Sequence, residues 1–98
     1  MAKLTTVRRI TIVVDGTFEK QVLKAIADMG AKGYSLMECR GKGGHVLHDD
    51  IWFLSRVRIE TIVQPDVAEK IVEHLGQHHH LAMTVCVENV DVANPEKF

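Results

Sequence analysis

VRRITIVVDGTFEKQVLKAIADMG, residues Val7 to Gly30, changes its periodicity once. Over Val7 to Val14, Ile10, Ile12 and Val14 alternate with Arg9, Thr11 and Val13, the period of two shown by a strand with unlike faces. Beyond it Phe18, Val22, Ala25, Ile26 and Met29 recur at helical spacing, with Thr17 placed to cap the helix and Gly30 to stop it. A strand that feeds directly into an amphipathic helix is the opening of a β-α-β unit.

Tyr34 to Cys39 (YSLMEC) reads as a second strand. The glycine-rich run Arg40 to Asp50 (RGKGGHVLHDD) cannot sustain regular structure and reads as a loop. Trp52 to Val63 resumes alternation, Val57, Ile59, Thr61 and Val63 on one side and Arg56, Arg58, Glu60 and Ile62 on the other, predicting a long third strand. Pro65 suits a first helical position, Asp66 and Glu69 form a capping-box-like pair, and Val67, Ala68, Ile71, Val72 and Leu75 mark one apolar face that ends near Gly76. Ala82 to Val90 (AMTVCVENV) predicts a fourth strand and Asp91 to Phe98 a polar tail.

The order β-α-β-β-α-β predicts an α+β fold, the ferredoxin-like sandwich, as a single domain over residues 1–98. In that sandwich two helices cover one face of an antiparallel sheet. The other face would carry Arg9, Thr11, Val13, Arg56, Arg58, Glu60, Ile62, Thr84 and Cys86, too apolar to stay fully solvated and too charged for a core. Such a face suits self-association around a polar centre. Strands two and four would lie at opposite edges, keeping Cys39 and Cys86 apart and unbridged.

Twelve basic and thirteen acidic residues, spread along 98 positions, give a net charge of −1, so the chain has no general attraction for nucleic acid or anionic membrane. No stretch reaches the roughly 18 apolar residues of a membrane span, and MAKLTTVRRI lacks the apolar core of a signal peptide, which predicts a cytoplasmic protein. Without CxxC spacing the two cysteines suggest reduced, partly buried thiols rather than a disulfide scaffold or zinc site.

Glu38 to Gly44 (ECRGKGG) sets three glycines and two basic side chains directly after a strand. Glycine lets backbone N–H groups turn toward an anion, and Arg40 or Lys42 can add charge-assisted hydrogen bonds. The run matches neither the P-loop nor the dinucleotide GxGxxG pattern, so on its own it is equally a plain connecting loop. His74 and His78 are four apart, and His78, His79 and His80 are consecutive, which admits a metal-binding reading. No carboxylate or cysteine joins them at ligand spacing, so an exposed loop is the plainer alternative, as it is for His45 and His48. Asp49 and Asp50 beside His48 read as a solvated acidic patch, since nothing shows a nucleophile held by a base and an orienting group. The chain therefore does not read as an enzyme.

Gly30 to Gly43, GAKGYSLMECRGKG, resembles the strand-and-loop segment of PII-like signalling proteins, in which a GAKGY-type turn leads to strand two and a GxG-type motif opens the T-loop between strands two and three. RVRIETIV before PDVAEKIVEHL is similar to the family's third strand and second helix, and VENVDVANPEKF to the ending of its short members. The short length and NPEKF tail most resemble the carboxysome-associated PII group (CPII), with SbtB-like regulators of bicarbonate transport as close relatives.

The resemblance implies a homotrimer binding an adenine nucleotide, AMP or ADP, together with bicarbonate at clefts between subunits. It further implies a T-loop that relays ligand state to a partner in inorganic-carbon metabolism, such as a bicarbonate transporter or carboxysome component. Carried over by position, Ser35, Gly41, Lys42, Gly43, Gly44, Glu60 and Ile62 would cradle the nucleotide, with His79, His80, Leu81 and Ala82 supplied by the neighbouring subunit. Arg40, Lys42, Gly43 and His45 would meet its phosphate or the bicarbonate. The chain departs from nitrogen-regulatory relatives in lacking a T-loop tyrosine and an arginine-rich C-terminal segment, and in having GQHHHLA between helix two and strand four, which speaks against tight triphosphate binding. It also lacks the cysteine pair with which SbtB proteins often end. The remaining alternative is a trimeric ferredoxin-like metal-binding protein that uses the histidine run.

Overall fold

A computed structural model describes residues 3–40, 56–77 and 83–98. Its strands are β1 (Thr5–Asp15), β2 (Ser35–Cys39), β3 (Arg56–Val63) and β4 (Thr84–Val92), and its helices α1 (Glu19–Met29) and α2 (Pro65–Gly76). The sheet runs β2-β3-β1-β4, with antiparallel neighbours throughout, so β2 and β4 form opposite edges as expected of a ferredoxin-like sandwich. Among the described residues no helix is long and apolar enough to cross a membrane.

β1 is central because its β-branched run can satisfy both faces and both neighbours. Ile10, Ile12 and Val14 point beneath the helices, level with Thr61, Ile59 and Val57 of β3, and meet Val22 and Ile26 of α1 and Ala68, Ile71 and Leu75 of α2. Each fully buried isoleucine of this layer contributes roughly 1.5–3 kcal/mol through lost apolar hydration. The opposite face carries the expected residues, and Thr11 is buried there without help from the helices.

Four local expectations are corrected. Thr17 does not cap α1; its N–H donates to the Asp15 carboxylate at 2.8 Å, closing a 3-10 turn over Gly16–Phe18, and α1 then starts without a side-chain cap. Asp15 wins because a short carboxylate at a strand end reaches the N–H two residues on. Asp66 and Glu69 do not form a capping box, because Pro65 occupies the first helical position and makes Gln64 the cap residue, leaving Asp66 inside the first turn, where its charge still suits the helix dipole. β2 begins one residue later than predicted, at Ser35, and β4 extends beyond Val90 to Val92, because Thr5 and Thr6 of β1 supply partners for Val92 and Asp91. Trp52 to Ser55 and Ala82, expected in strands, lie outside the described residues.

Gly30 terminates α1 at φ +120°, with its N–H and that of Ala31 returning to the carbonyls of Ala27 and Ile26. A Cβ there would also stand 3.3 Å from Val67 of α2. Gly30→Ala is expected to lower the unfolding free energy by about 1–3 kcal/mol, measured by urea denaturation, through backbone strain at positive φ.

Candidate functional site

The turn after α1 decides where β2 lies. The Thr61 hydroxyl, on a side chain only 2 % exposed, donates to the Gly33 carbonyl at 2.6 Å and ties the AKGY turn to β3. β2 then follows in a register that sets Ser35 opposite Glu60, Leu36 opposite Ile59, Met37 opposite Arg58 and Cys39 opposite Arg56. Arg40 follows directly, so the expected loop leaves from and returns to adjacent strand ends.

The same end of the sheet holds the start of β4. Thr84 stands opposite Val13 of β1, whose other neighbour is Arg58, while Asp15 stands opposite Arg56. The attachment points of segments 41–55 and 78–82 therefore share one end of the sheet, but at its two edges, three strand spacings of about 4.8 Å apart. Arg40, Arg56 and Arg58 bring three guanidinium groups to the β2 and β3 side of that end, a composition suited to anions.

On the face away from the helices, Arg9 Nε donates to Glu88 Oε1 at 2.9 Å and Arg58 Nη2 to Glu60 Oε1 at 3.2 Å. The Arg9 guanidinium is held above its ordinary value by the hydrogen bond and then the charge of Glu88, with Glu60 adding to it. Glu88 is held below the ordinary carboxylate range by the Arg9 hydrogen bond and then its charge, with Arg58 adding to it. Both pairs are open to solvent, where such contacts are weak and salt-screened; exclusion of water would strengthen them. Thr11 sits between Glu60 and Cys86 at the centre of this face.

Of the residues expected to bind nucleotide, the structure brings Ser35 and Glu60 together as cross-strand partners, with Ile62 two positions further along the same face of β3. Of the expected anion ligands, Arg40 stands at the exit of β2. Gly41, Lys42, Gly43, Gly44, His45, His79, His80, Leu81 and Ala82 lie outside the described residues. His74 is half-buried on α2, and among the described residues no three His, Cys, Asp or Glu side chains gather to hold a metal ion. Both cysteines are free thiols on opposite edge strands, Cys39 half-buried, whereas Cys86 is exposed rather than partly buried as expected. The role of Glu88 as partner of Arg9 was missed. Its period-two spacing from Thr84 and Cys86 places it on their face, but only the β1–β4 register puts it beside Arg9.

The family model of nitrogen regulatory protein P-II matches residues 7–97. A crystal structure of a PII-like signalling protein from Thermus thermophilus is 34 % identical, with 98 % of each chain covered and a TM-score of 0.82. Two structures of CPII from Thiomonas intermedia share the fold. One, bound to ADP and bicarbonate, is 21 % identical with a TM-score of 0.88, covering 100 % of this chain and 99 % of that one. The other, bound to ADP, AMP and acetate, is 22 % identical with a TM-score of 0.87, covering 98 % and 97 %. No curated protein matches by sequence.

Asp15 is a titrating group at this end of the sheet. Its carboxyl is held below the ordinary value by the Thr17 hydroxyl and then the Thr17 N–H, with Arg56 assisting. The folded state thus binds fewer protons than the unfolded chain, so the stabilisation is complete above the unfolded value of about 3.9 and is lost as pH falls through the folded one. Asp15→Ala is expected to cost about 1 kcal/mol at neutral pH. Asp15→Asn should keep most of the cap and remove part of the acid sensitivity, seen as a shallower fall in urea midpoint between neutral and acid pH.

Proposed function

The chain belongs to the nitrogen regulatory protein P-II family, and from that premise we propose that it is a regulator, not an enzyme, which binds AMP or ADP together with bicarbonate at clefts between the subunits of a homotrimer. The observation that carries this reading is the placement of both loop attachments at one end of the sheet, on opposite edges. Within a single chain β3 and β1 lie between those two edges. A neighbouring copy that lays its β2 edge beside β4 would bring Ser35, Glu60 and Arg40 of one subunit toward Met83 and Thr84 of the next. The proteins that share this fold at lower identity and hold ADP with bicarbonate or AMP supply the ligand class.

In this reading Gly41, Lys42, Gly43 and Gly44 cradle the phosphates with backbone N–H groups, while Arg40, Lys42, Gly43 and His45 hold the phosphate or the bicarbonate. Ser35, Glu60 and Ile62 line the nucleotide from the sheet, and His79, His80, Leu81 and Ala82 close the cleft from the adjacent copy. Ligand binding selects one arrangement of the T-loop, residues 40–50, and a bicarbonate transporter or carboxysome component reads that arrangement. The whole chain acts as one such domain in the cytoplasm.

Calorimetric titration with AMP, ADP, ATP and cyclic AMP, each with and without bicarbonate at fixed pH, tests the reading. Micromolar binding of AMP or ADP that strengthens with bicarbonate is expected, and bicarbonate should then bind more tightly by the same factor in the presence of nucleotide. Gly41→Val or Gly43→Val should abolish binding without changing the oligomer's mass. Absence of binding by every nucleotide, or wild-type affinity in both variants, would overturn the reading.

A further inference from the structure

Four charged side chains share the face of the sheet away from the helices, and their pairing is not symmetric. Arg9 and Glu88 meet across the β1–β4 boundary at 2.9 Å, whereas Arg58 and Glu60 lie two residues apart on β3 and meet at 3.2 Å. Same-face neighbours on a strand stand about 6.8 Å apart, so the Arg58 side chain lies along β3, from the level of Val13 toward that of Thr11. Its guanidinium is thereby drawn away from the Arg56 end of the strand. Of Arg40, Arg56 and Arg58, only Arg58 forms a salt bridge among the described residues.

Glu60 has the least exposed side chain of the four, at 26 %. Its Oε1 accepts from Arg58 Nη2, and a carboxylate held by one oxygen keeps acceptor capacity on the other. Arg9 is the rival cation, since its guanidinium feels the charge of Glu60, but its Nε is already donated to Glu88. Glu88 thus keeps Arg9 from competing, and Arg58 is the side chain that fixes the Glu60 carboxylate.

We infer that Arg58 is a positioning residue that holds the Glu60 carboxylate to accept a hydrogen bond from a ribose hydroxyl of the bound adenine nucleotide, and does not itself contact the phosphate. The inference rests on the nucleotide reading above and divides the work among the arginines of its site. The order of chemistry along β3 supports it. On one face Ile62 is apolar, Glu60 is an acceptor and Arg56 is cationic, which is the order of base, sugar and phosphate in a nucleotide. A carboxylate repels phosphate and accepts only from donors, and the donors between base and phosphate are the ribose hydroxyls. Holding Glu60 in advance removes rotamer freedom that it would otherwise lose on binding, and a second wall that excludes water strengthens the hold.

Calorimetric titration with ADP, 2′-deoxy-ADP and 3′-deoxy-ADP tests the assignment in the wild type, Arg58→Ala, Glu60→Ala and the double variant. Arg58 is exposed, so Arg58→Ala should keep the wild-type unfolding midpoint. The wild type should prefer ADP over the weaker deoxy analogue by roughly tenfold or more, the size of one hydrogen bond to a charged group. In Arg58→Ala that preference should fall below about threefold, with ADP weakened and the deoxy analogue little changed. In the Glu60→Ala background Arg58→Ala should cost nothing further, because the two side chains act as one unit. A wild type without preference would overturn the inference. So would Arg58→Ala weakening all three ligands by one factor, the mark of phosphate contact or of lost assembly, or additive losses in the double variant. Where alanine removes all measurable binding, Arg58→Lys carries the same comparison: a smaller preference than wild type supports the assignment, and an unchanged one overturns it. A wild type that binds no ADP sinks the nucleotide reading and this inference with it, whereas ADP binding with unchanged preference sinks the role of Arg58 alone.

Discussion

Two helices can cover only one face of a four-stranded sheet, and the rest of this molecule is arranged around that shortage. On the covered face, Ile10, Ile12, Val14, Val57, Ile59 and Val63 meet the helices as a dry layer with no unsatisfied side-chain polar atom among the described residues. On the other face the same strands present Arg9, Arg58, Glu60 and Glu88, which satisfy one another in pairs, while Thr11 and Val7 are already buried among them. Half ion pair and half apolar, this surface would gain from apolar burial against a copy of itself and lose from desolvation of its charges. Beyond the end of β3 the Gln64 amide donates to the Pro95 carbonyl at 3.1 Å, which holds the C-terminal turn there.

Periodicity made the sheet legible because its two faces differ so sharply in chemistry. Val57, Ile59, Thr61 and Val63 against Arg56, Arg58, Glu60 and Ile62 admits one orientation of β3, and a one-residue slip would place three charges in the core. Local competition between caps was less legible. Thr17, Asp15, Asp66 and Gln64 all lie within reach of a helix start, and the winner depends on backbone angles that no side-chain pattern encodes. The far end of β4 was missed for a related reason. Asp91 and Val92 read as tail, yet β1 offers partners as far as Thr5, and a strand continues for as long as its neighbour does.

The candidate site divides along the same line. Ser35, Glu60 and Arg40 could be placed from the sequence because the GAKGY turn fixes where β2 begins, and the buried Thr61 hydroxyl is the interaction that holds that turn. Glu88 could not be paired with Arg9 in advance, since nearly eighty residues separate them and only the finished register brings them into contact. Long-range pairing of this kind has no local signature.

Edge and site are linked by strand direction. β2 ends and β4 begins at one end of the sheet, so any association that matches a β2 edge to a β4 edge necessarily brings two different loop attachments together at each junction. Binding at such a junction is then coupled to assembly, because a ligand that contacts both sides adds its free energy to the contact and the contact lowers the cost of ordering the ligand's surroundings. On the trimeric reading, the basic residues at that end of the sheet gain a second wall from the neighbouring copy.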